Sequence, residues 1–599
     1  MKLQNIVFPS TKNCAEELYF RSNRKQDLHM DREKGILCLA EGTQASFDTY
    51  FNGFSVGKWL KYTRIDDVTL RLKLKGKAVI FLVHNESTTT NTINQEIDSL
   101  IYDTEGKIEE ITITIDDNKS KGIYTFYCQA LEGGCEIHGG YWSTDVEQVS
   151  NVKLGIVICT FLREQYIDQN IGILKKEFFE NPKSDLVDRL VVYISDNGKT
   201  LDTNRMYSRH IKILPNRNAG GVGGFTRGLI EILKTKETNE ITHVLLMDDD
   251  IVICPESIYR TYAMWALLKD EYRESFIGGG VLNLETPWLQ IESGALWNTG
   301  KVQSRKQGLD LRNVVSCIQN EVEEDTDYQG WWYCSFSLEH VRENNLPLPL
   351  FIKVDDVEYS IRNMKHLILL NGICAWHEPF EYKNRSSFYY YWYRNWLICN
   401  AVNGMIDARV KDLFWKELQA RVIQEAFTLR YKNAELLLNA VEDFLKGIDW
   451  LKKQSPEKLN RLIVNKGYAL APVEDLEIPF NKSEYLETTK AYVEGRVRRV
   501  WRKISCNGIF LKSHGTAIVP TVNPYIYYFY KKSKALNYET ASNMGFVTTK
   551  DNKEFIRLVK KLYLVKIQFK GRYNEISREY YSRSEELMKL SFWEIYLKL

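Results

Sequence analysis

Length, composition and charge exclude several classes of protein before any motif is considered. The chain has 599 residues, enough for roughly two to four domains, and its apolar (44%) and charged (26%) fractions are those of an ordinary globular protein. A formal net charge of +2 argues against a dedicated nucleic-acid binder, so we expect no nucleic-acid partner.

The beginning of the chain and its cysteines bear on location. The first 20 residues lack the uninterrupted apolar core of a signal peptide, and no apolar run approaches the roughly 20 residues that span a bilayer. The 11 cysteines include no CxxC pair, which favours a reducing compartment. We therefore expect a cytoplasmic protein, and peripheral contact with the cytoplasmic face of the inner membrane is left open.

Residues 1–148 show the pattern of a β-sheet domain. The segment "VTLRLKLKGKAVIFLVHN" alternates apolar and polar residues before a glycine and then runs apolar, and "GIYTFYCQAL" repeats the signal. Several short strands separated by turns predict a β-sandwich. Because architecture alone does not give function, this sandwich is either a carbohydrate-binding module or a structural, oligomer-forming unit.

Alternating strands and helices follow over residues 149–400. Leu154–Thr160 is a continuous apolar strand of the kind that is buried on both faces of a parallel sheet. A helical stretch, the strand "DRLVVYISDNG", the glycine-rich "NRNAGGVGGFTRGLIEIL" and the strand "HVLLMDDDIV" come next. This order predicts an α/β nucleotide-binding domain of the Rossmann-like kind.

Residues 401–599 have apolar positions at helical spacing, which predicts a mainly helical C-terminal region. Two stretches in it, "EGRVRRVWRKI" and "NPYIYYFYKKSK", combine basic and aromatic residues. Such stretches can lie at an anionic membrane surface, although a solvated basic helix explains them as well.

Three aspartates, Asp248, Asp249 and Asp250, end a buried strand. Alternation along the strand would place Asp248 and Asp250 on one face and Asp249 on the other. Open α/β sheets bind ligands at the carboxyl ends of their strands. Two hard carboxylates there suit Mg²⁺ or Mn²⁺, which also bind substrate phosphates. A solvated acidic turn is the alternative that these residues alone leave open.

The glycine-rich segment "PNRNAGGVGGFTRG" precedes a predicted helix. Its backbone can approach a nucleotide closely, and the helix N-terminus favours negative charge. It has neither the Walker pattern nor the GxGxxG spacing, so a flexible connection explains it as well. The preceding strand ends in "SDNG", where Asp196 and Asn197 offer hydrogen bonds to a base or a ribose.

The order of "CTFLRE", "SDNG", "NAGGVGG" and "MDDD" resembles that of GT-A glycosyltransferases of the family-2 type. The later segments "YQGWWYCSFS", "FIKVDDVEYSIR" and "AWHEPF" are similar to those of the galactofuranosyltransferases, particularly the polymerising enzyme of mycobacterial cell-wall galactan. In the N-terminal region, "TYFNGFSVGKWLKYT" is similar to a segment of the same family. The resemblance covers roughly residues 45–400 and implies a GT-A catalytic domain.

The resemblance implies a role for each of several acids and one histidine. Asp356 corresponds to the base that deprotonates the acceptor hydroxyl, and Asp355 corresponds to a residue that holds acceptor hydroxyls. His377 corresponds to the histidine that completes the metal site with Asp248 and Asp250, where Mn²⁺ or Mg²⁺ would bind. The alternatives are an acidic pair at a helix N-terminus and a structural histidine.

Further site residues follow from the resemblance. Those assigned to the nucleotide-sugar are Arg163, Asn197, Asn218, Asp248 and Asp249. Those assigned to the acceptor are Glu292, Trp331 and Trp332, besides Asp355. Paired tryptophans beside a sugar site form a stacking wall, but they are also common in cores. The alternative for Arg163 and Glu292 is that each is an ordinary charged residue of the surface.

The resemblance implies an inverting, metal-dependent enzyme that transfers galactofuranose from UDP-galactofuranose to a glycan hydroxyl, with a lipid-linked cell-surface polysaccharide as the expected acceptor. A related transferase with a rhamnosyl or galactopyranosyl donor is the main alternative. A non-catalytic glycan-binding scaffold is a second. The linkage, the number of sugars added and the formation of a homo-oligomer are left open.

Overall fold

The computed structural model describes residues 1–10, 15–87, 92–115, 120–203, 208–379 and 385–599. The chain folds into two compact units. The first unit consists of Met1–Asn216, Gly224–Arg342 and Tyr359–Glu378, and the second of Arg217–Gly223, Glu343–Glu358 and Pro379–Leu599. The domain boundaries predicted after residues 148 and 400 stay predictions.

The N-terminal part of the first unit is built of strands, as the alternating pattern predicts. The strands are Lys2–Asn5, Arg21–Ser22, Leu28–Asp31, Ile36–Leu39, Gln44–Ser46, Val68–Ser87, Thr92–Asp103, Glu109–Ile115 and Ile123–Ser143. Within the described residues these strands join in one hydrogen-bonded sheet, in which the long strands Val68–Ser87 and Ile123–Ser143 pair with each other across bulges. The predicted division into two stacked sheets stays a prediction.

A second sheet of the first unit begins with parallel strands. In the order in which they pair, the strands are Ile211–Pro215, Leu190–Asp196, Leu154–Thr160, His243–Asp248, Tyr333–Ser337, Ser275–Asn283, His366–His377 and Ile251–Ile253, and Gln290–Glu292 pairs with Ser275–Asn283. The first four are parallel. Their register places Thr160 beside Asp196 and Cys159 beside Asp248, so polar strand ends meet at one edge. The predicted α/β architecture is confirmed.

The other half of this sheet mixes strand directions. Tyr333–Ser337 runs antiparallel to both of its neighbours, whereas His366–His377 runs parallel to Ser275–Asn283. The short strand Ile251–Ile253 pairs antiparallel with the end of His366–His377, with Ile251 opposite His377. This pairing brings His377 beside the residue that precedes Ile251, which is Asp250.

Helices accompany this sheet. Their bounds are Val56–Tyr62, Glu164–Leu174, Gly220–Asn239, Pro255–Leu267, Val314–Glu321 and Asp355–Asn363. Pro255–Leu267 is buried along almost its whole length, and its two buried charges, Glu256 and Arg260, pair with each other at 2.9 Å. None of the helices built from the described residues has both the length and the hydropathy of a membrane span.

The second unit is mainly helical, as predicted. Its helices after residue 385 are Ser386–Val402, Ala408–Phe427, Tyr431–Phe444, Ile448–Lys453, Pro456–Lys466, Lys482–Thr488, Arg496–Ile504, Asn552–Arg583, Glu585–Met588 and Leu590–Leu597. It also contains a small sheet that sequence reasoning did not predict. That sheet pairs Ala471–Pro472, Met544–Thr549, Lys534–Glu539 and Thr516–Pro520 in this order.

Candidate active site

Three side chains that could ligate a metal converge at the edge of the α/β sheet. Asp248 ends its strand, Asp250 lies in the turn that follows, and His377 ends the strand His366–His377. One ligand atom from each lies within 4.8 Å of the others. Nε2 of His377 is 3.6 Å from Oδ1 of Asp250, and both side chains are buried. The structure thus brings together the three residues expected to form one site.

The contacts of His377 indicate which of its ring nitrogens could ligate a cation. Nδ1 of His377 contacts the backbone carbonyl oxygen of Glu378. A carbonyl oxygen can only accept, so Nδ1 must carry the proton and donate it. In the neutral imidazole Nε2 is then the nitrogen that could ligate a cation beside Asp250. Two carboxylates and this imidazole nitrogen form a donor set that fits Mn²⁺ or Mg²⁺.

Arg163 supplies positive charge to the aspartate cluster. Its Nη1 lies 2.8 Å from Oδ1 of Asp249 and 2.6 Å from Oδ2 of Asp250. Burial raises the pKa of Asp249, while the neighbouring Arg163 guanidinium holds it down. The Arg163 side chain is 41% exposed, so part of it is open to solvent. Its contact with a nucleotide-sugar stays a prediction.

The expected alternation of the three aspartates holds only in part. The strand ends at Asp248, and Asp249 and Asp250 lie in a turn. Asp248 and Asp250 do meet at His377, as expected. Because the turn no longer alternates, however, Asp249 is not on the opposite side: it shares Arg163 with Asp250.

Asn197 is held at the same sheet edge by polar neighbours. Its Oδ1 accepts a hydrogen bond of 2.8 Å from Nδ2 of Asn216. Asp196 shapes the loop around it, because its Oδ1 accepts from the backbone N–H groups of Gly198 and Lys199 at 3.0 and 2.8 Å. A Cβ atom on Gly224 would lie 2.1 Å from Sγ of Cys159, so this glycine allows the helix Gly220–Asn239 to approach the strand.

The acidic pair belongs to the second unit. Asp355 and Asp356 open the helix Asp355–Asn363, and the N–H of Val357 donates to Oδ1 of Asp356 at 2.8 Å. Burial raises the pKa of Asp356 to about 6, although the Val357 N–H and Lys353 oppose the shift. A carboxyl group with this pKa is a suitable general base near neutral pH.

The loop before this pair is conformationally strained. Phe351, Lys353 and Val354 all have positive φ angles, between 68° and 73°, which residues with side chains rarely adopt. Nδ2 of Asn395 lies 2.8 to 3.0 Å from the carbonyl oxygens of Leu350, Ile352 and Lys353. Strain of this kind persists where the surroundings hold it, and it is typical of functional sites.

The glycine-rich segment supports the same loop. Gly220 has a φ of +77°, and a Cβ atom there would lie 1.9 Å from the carbonyl oxygen of Phe351. A Cβ on Gly221 would lie 4.0 Å from Oδ2 of Asp355. Oδ1 of Asn218 accepts a hydrogen bond of 3.0 Å from the N–H of Gly220. These glycines therefore permit close packing around the acidic pair, a role that the sequence did not reveal.

The predicted acceptor residues of the first unit are buried. Oε2 of Glu292 accepts a hydrogen bond from the Ser304 hydroxyl. Trp331 is 4% exposed and packs edge-on against Phe225, and Trp332 is 9% exposed and donates to the Gly279 carbonyl at 3.0 Å. Little ring surface is accessible, so the stacking wall stays a prediction.

The predicted site residues are thus divided between the units. The first unit holds Arg163, Asn197, Asp248, Asp249, Asp250, Glu292, Trp331, Trp332 and His377. The second holds Asn218, Asp355 and Asp356. Sequence reasoning missed Asn395. The available signal was the pair Arg394 and Asn395 inside the aromatic run "YYYWYRNW", where polar side chains need buried partners.

Comparison with known proteins identifies the relatives of this chain. A family model described as "Galactofuranosyltransferase 2 N-terminal" matches residues 3–145. The galactofuranosyltransferase GlfT2 of Mycolicibacterium smegmatis (strain ATCC 700084 / mc(2)155) is 27% identical over 434 residues, which are 68% of this chain and 64% of that protein. The chain is therefore similar to the GlfT2 galactofuranosyltransferases.

A second GlfT2 agrees with this assignment. The protein of Mycobacterium tuberculosis (strain ATCC 25618 / H37Rv) is 27% identical over 441 residues, which are 69% of the GlfT2-like chain and 66% of the relative. The match therefore spans just under two thirds of the length of each relative. The predicted resemblance is confirmed, and both relatives have the enzyme class that the sequence predicts.

The chain is only weakly similar to solved structures. The alignment with the structure of the CBM22-1–GH10 modules of Clostridium thermocellum xylanase 10B with xylohexaose covers 32% of this chain and 37% of the xylanase chain. The sequence identity is 11% and the TM-score 0.17.

Proposed function

We propose that this GlfT2-like chain is an inverting, metal-dependent glycosyltransferase with a GT-A catalytic domain. It transfers galactofuranose from UDP-galactofuranose to a hydroxyl of a glycan, and we propose a lipid-linked acceptor in the synthesis of a polysaccharide. The observation that carries the proposal is the convergence of Asp248, Asp250 and His377. The names of the two relatives support the sugar that is transferred.

The three converging side chains would hold Mn²⁺ or Mg²⁺. Their two carboxylates and the Nε2 lone pair of His377 are the oxygen and imidazole donors that Mn²⁺ accepts. A cation bound there would neutralise the negative charge that develops on the departing diphosphate. The cation would also offset the mutual repulsion of the two carboxylates.

The transfer itself is a single displacement at the anomeric carbon. The acceptor oxygen forms a bond to this carbon on the face opposite the diphosphate, and the bond to the β-phosphate oxygen breaks with its electron pair left on UDP. One displacement inverts the configuration. The hydroxyl proton passes to the carboxylate of Asp356, whose pKa of about 6 leaves it deprotonated at neutral pH and still basic enough to accept the proton.

The remaining residues would bind the two substrates. Arg163 carries positive charge beside the aspartates and its side chain is partly exposed, so we propose that it contacts a diphosphate oxygen. We propose donor contacts for Asn197, Asn218 and Asp249 as well. For the acceptor we propose Glu292, Trp331, Trp332 and Asp355.

A donor screen tests this function. The purified chain is incubated with Mn²⁺, a synthetic galactan-like or lipid-linked acceptor and one of several donors, UDP-galactofuranose, UDP-galactopyranose or a rhamnosyl nucleotide, and the products are analysed by mass spectrometry. We expect a hexose added to the acceptor from UDP-galactofuranose alone. Transfer restricted to another donor would contradict the donor assignment. The absence of transfer from any donor would favour a glycan-binding scaffold.

A further inference from the structure

The strand His366–His377 reaches the candidate metal site only after a wide bulge. Its register with the neighbouring strand shifts, so that residues 370–373 all lie opposite the single residue Gly279. Side chains alternate between the two faces of a sheet, so one residue more or fewer in this bulge would turn His377 to the other face. The conformation of the bulge therefore decides whether His377 meets Asp250.

A buried arginine, Arg260, holds the bulge. Its Nη1 donates to the carbonyl oxygen of Asn371 at 2.8 Å, and its side chain is only 1% exposed. Gly372 has a φ of +76°, and a Cβ atom there would lie 2.0 Å from Nη1 of Arg260, so the guanidinium packs directly against this glycine. The hydroxyl of Ser257 adds a contact just beyond the bulge, because it accepts a hydrogen bond of 2.9 Å from the N–H of Cys374.

The N-terminal sheet contacts the same arginine and its acidic partner. Nε of Arg260 lies 2.9 Å from Oε1 of Glu256, which is also buried. Glu256 accepts two further hydrogen bonds from Asn5, one of 2.9 Å from its N–H and one of 2.7 Å from its Nδ2. Nη2 of Arg260 donates to the carbonyl oxygen of Phe51, whose ring lies 5.9 Å from that of Trp376. These contacts connect the first strand of the chain to the strand that carries the histidine.

The charges of this pair contribute more to geometry than to stability. Burying an ion pair costs so much desolvation that apolar residues of similar volume are often as stable. A guanidinium is planar, however, and its N–H groups point in fixed directions. Arg260 therefore binds one carboxylate and two carbonyl oxygens from separate segments at once, which an apolar side chain cannot do.

We propose that Arg260, held by Glu256, is a positioning residue for the cation site. It fixes the bulge 370–373 and thereby the register that places His377 beside Asp250. This inference rests on the proposed function, because it concerns the same cation site. It also assigns the N-terminal sheet a structural role there, since two residues of that region contact the pair.

The double variant Glu256→Gln/Arg260→Met tests the proposal. It removes both charges at nearly constant volume, so it leaves no unpaired charge in the core. We expect amide hydrogen exchange of residues 374–377, measured by mass spectrometry without any cation, to become about tenfold faster, as expected for the loss of a buried hydrogen bond. The strand Leu154–Thr160 of the same sheet should keep its rate. The dissociation constant for Mn²⁺ should rise by about tenfold or more.

Two milder variants extend the test. Ser257→Ala removes only the hydroxyl contact with Cys374, so it should have the same two effects more weakly, and it decides the question if the double variant does not fold. Arg260→Lys keeps the charge, but a single ammonium group cannot reach the carboxylate and both carbonyl oxygens together. We therefore expect Arg260→Lys to lie between the wild type and the double variant in both measurements.

A second ion pair with the same geometry supplies the matched control. Arg421 and Glu425 are spaced i,i+4 on the helix Ala408–Phe427, Nε lies 3.1 Å from Oε1, and Glu425 is buried. Arg421→Met/Glu425→Gln makes the same chemical change in the second unit, and Ser577→Ala removes another buried serine hydroxyl. Both controls should leave the exchange of residues 374–377 and the Mn²⁺ affinity unchanged. Thermal denaturation compares the stability of all variants.

Unchanged exchange of residues 374–377 in the folded variants would overturn the proposal. Equal changes in the control variants, or faster exchange throughout the sheet, would also overturn it, because the pair would then only stabilise the fold. A wild-type chain that binds no Mn²⁺ would contradict the proposed function instead. The exchange measurement needs no cation, so it still decides whether Arg260 holds the end of this strand.

Discussion

Nε2 of His377 lies 3.6 Å from Oδ1 of Asp250, although the two residues are far apart in the sequence. The antiparallel pairing of Ile251 with His377 fixes this proximity. Nδ1 contacts the Glu378 carbonyl oxygen, so in the neutral imidazole Nε2 is the nitrogen that could ligate a cation. Together with Asp248, these residues place carboxylate oxygens and an imidazole nitrogen close enough to ligate one cation.

Replacing His377 by alanine should weaken cation binding. The imidazole is one of three protein donors, and its loss leaves two carboxylates, so we expect the dissociation constant for Mn²⁺ to rise by at least about tenfold. Titration calorimetry or the electron paramagnetic resonance signal of free Mn²⁺ measures this constant without any substrate. His366→Ala, at the exposed opposite end of the same strand, is the matched control. Unchanged Mn²⁺ affinity in His377→Ala would remove this residue from the site.

Arg163→Gln should have opposite effects on cation and donor. Its guanidinium contacts Asp249 and Asp250, so its removal increases the negative charge available to a cation. We expect Mn²⁺ to bind a few-fold more tightly in the absence of nucleotide, in line with about 1 kcal/mol for a partly exposed pair. We also expect the KM for the donor to rise, because a diphosphate contact is lost.

The control for this variant is Arg209→Gln, whose side chain is 73% exposed and pairs with Asp188. This change should alter neither quantity. Weaker Mn²⁺ binding in Arg163→Gln would show that the arginine supports the cation site instead of competing with the cation.

Asp356→Asn should abolish most of the transfer. The amide cannot accept the hydroxyl proton, so we expect kcat to fall by roughly 10²- to 10⁴-fold. Donor binding, measured by calorimetry with UDP, should stay within a factor of about two of the wild-type value because the amide keeps the shape of the carboxylate. Asp475→Asn, an exposed acid of the same unit, should retain full activity. Near-normal turnover in Asp356→Asn would move the base to another residue.

The pH dependence of the reaction should report the same carboxyl group. Burial raises the pKa of Asp356 to about 6, so the group is protonated and inactive below this pH and deprotonated above it. We therefore expect kcat/KM to fall as the pH drops through about 6, measured with Mn²⁺ kept saturating because its ligands also bind protons. A profile that stays flat between pH 5 and 8 would contradict the assignment.

Gly220→Ala should destabilise the second unit. The φ of +77° costs an alanine about 1–2 kcal/mol, and its Cβ would also meet the Phe351 carbonyl oxygen at 1.9 Å. The control, Gly571→Ala in the long helix, has open space around the new Cβ and should be neutral or stabilising. Thermal denaturation compares the two. An unchanged midpoint for Gly220→Ala would show that the loop relaxes at little cost.

The sequence predicts the strands and acids of the sheet edge well, because each is marked by a pattern of neighbouring residues. The apolar runs at Leu154–Thr160 and just before Asp248 predict buried parallel strands. Acids at the end of such a strand indicate a ligand site. The partnership of Asp250 with His377 depends on strand pairing across the fold. It was therefore accessible only through resemblance to a family.

Other features left no local signal. Phe351, Lys353 and Val354 have positive φ angles, but none is a glycine or an asparagine, the residues that usually mark this conformation. The carbonyl contacts of Asn395 arise only in the folded chain. The strand Lys534–Glu539 was missed because it is short and directly follows a stretch of basic and aromatic residues.

The most direct measurement is product formation by metal-stripped enzyme. The chain is dialysed against a chelator, mixed with UDP-galactofuranose and acceptor, and assayed by mass spectrometry before and after Mn²⁺ is restored. We expect no transfer without the cation, recovery with Mn²⁺, and no recovery in an Asp248→Ala/Asp250→Ala variant. Full turnover after complete chelation would contradict it.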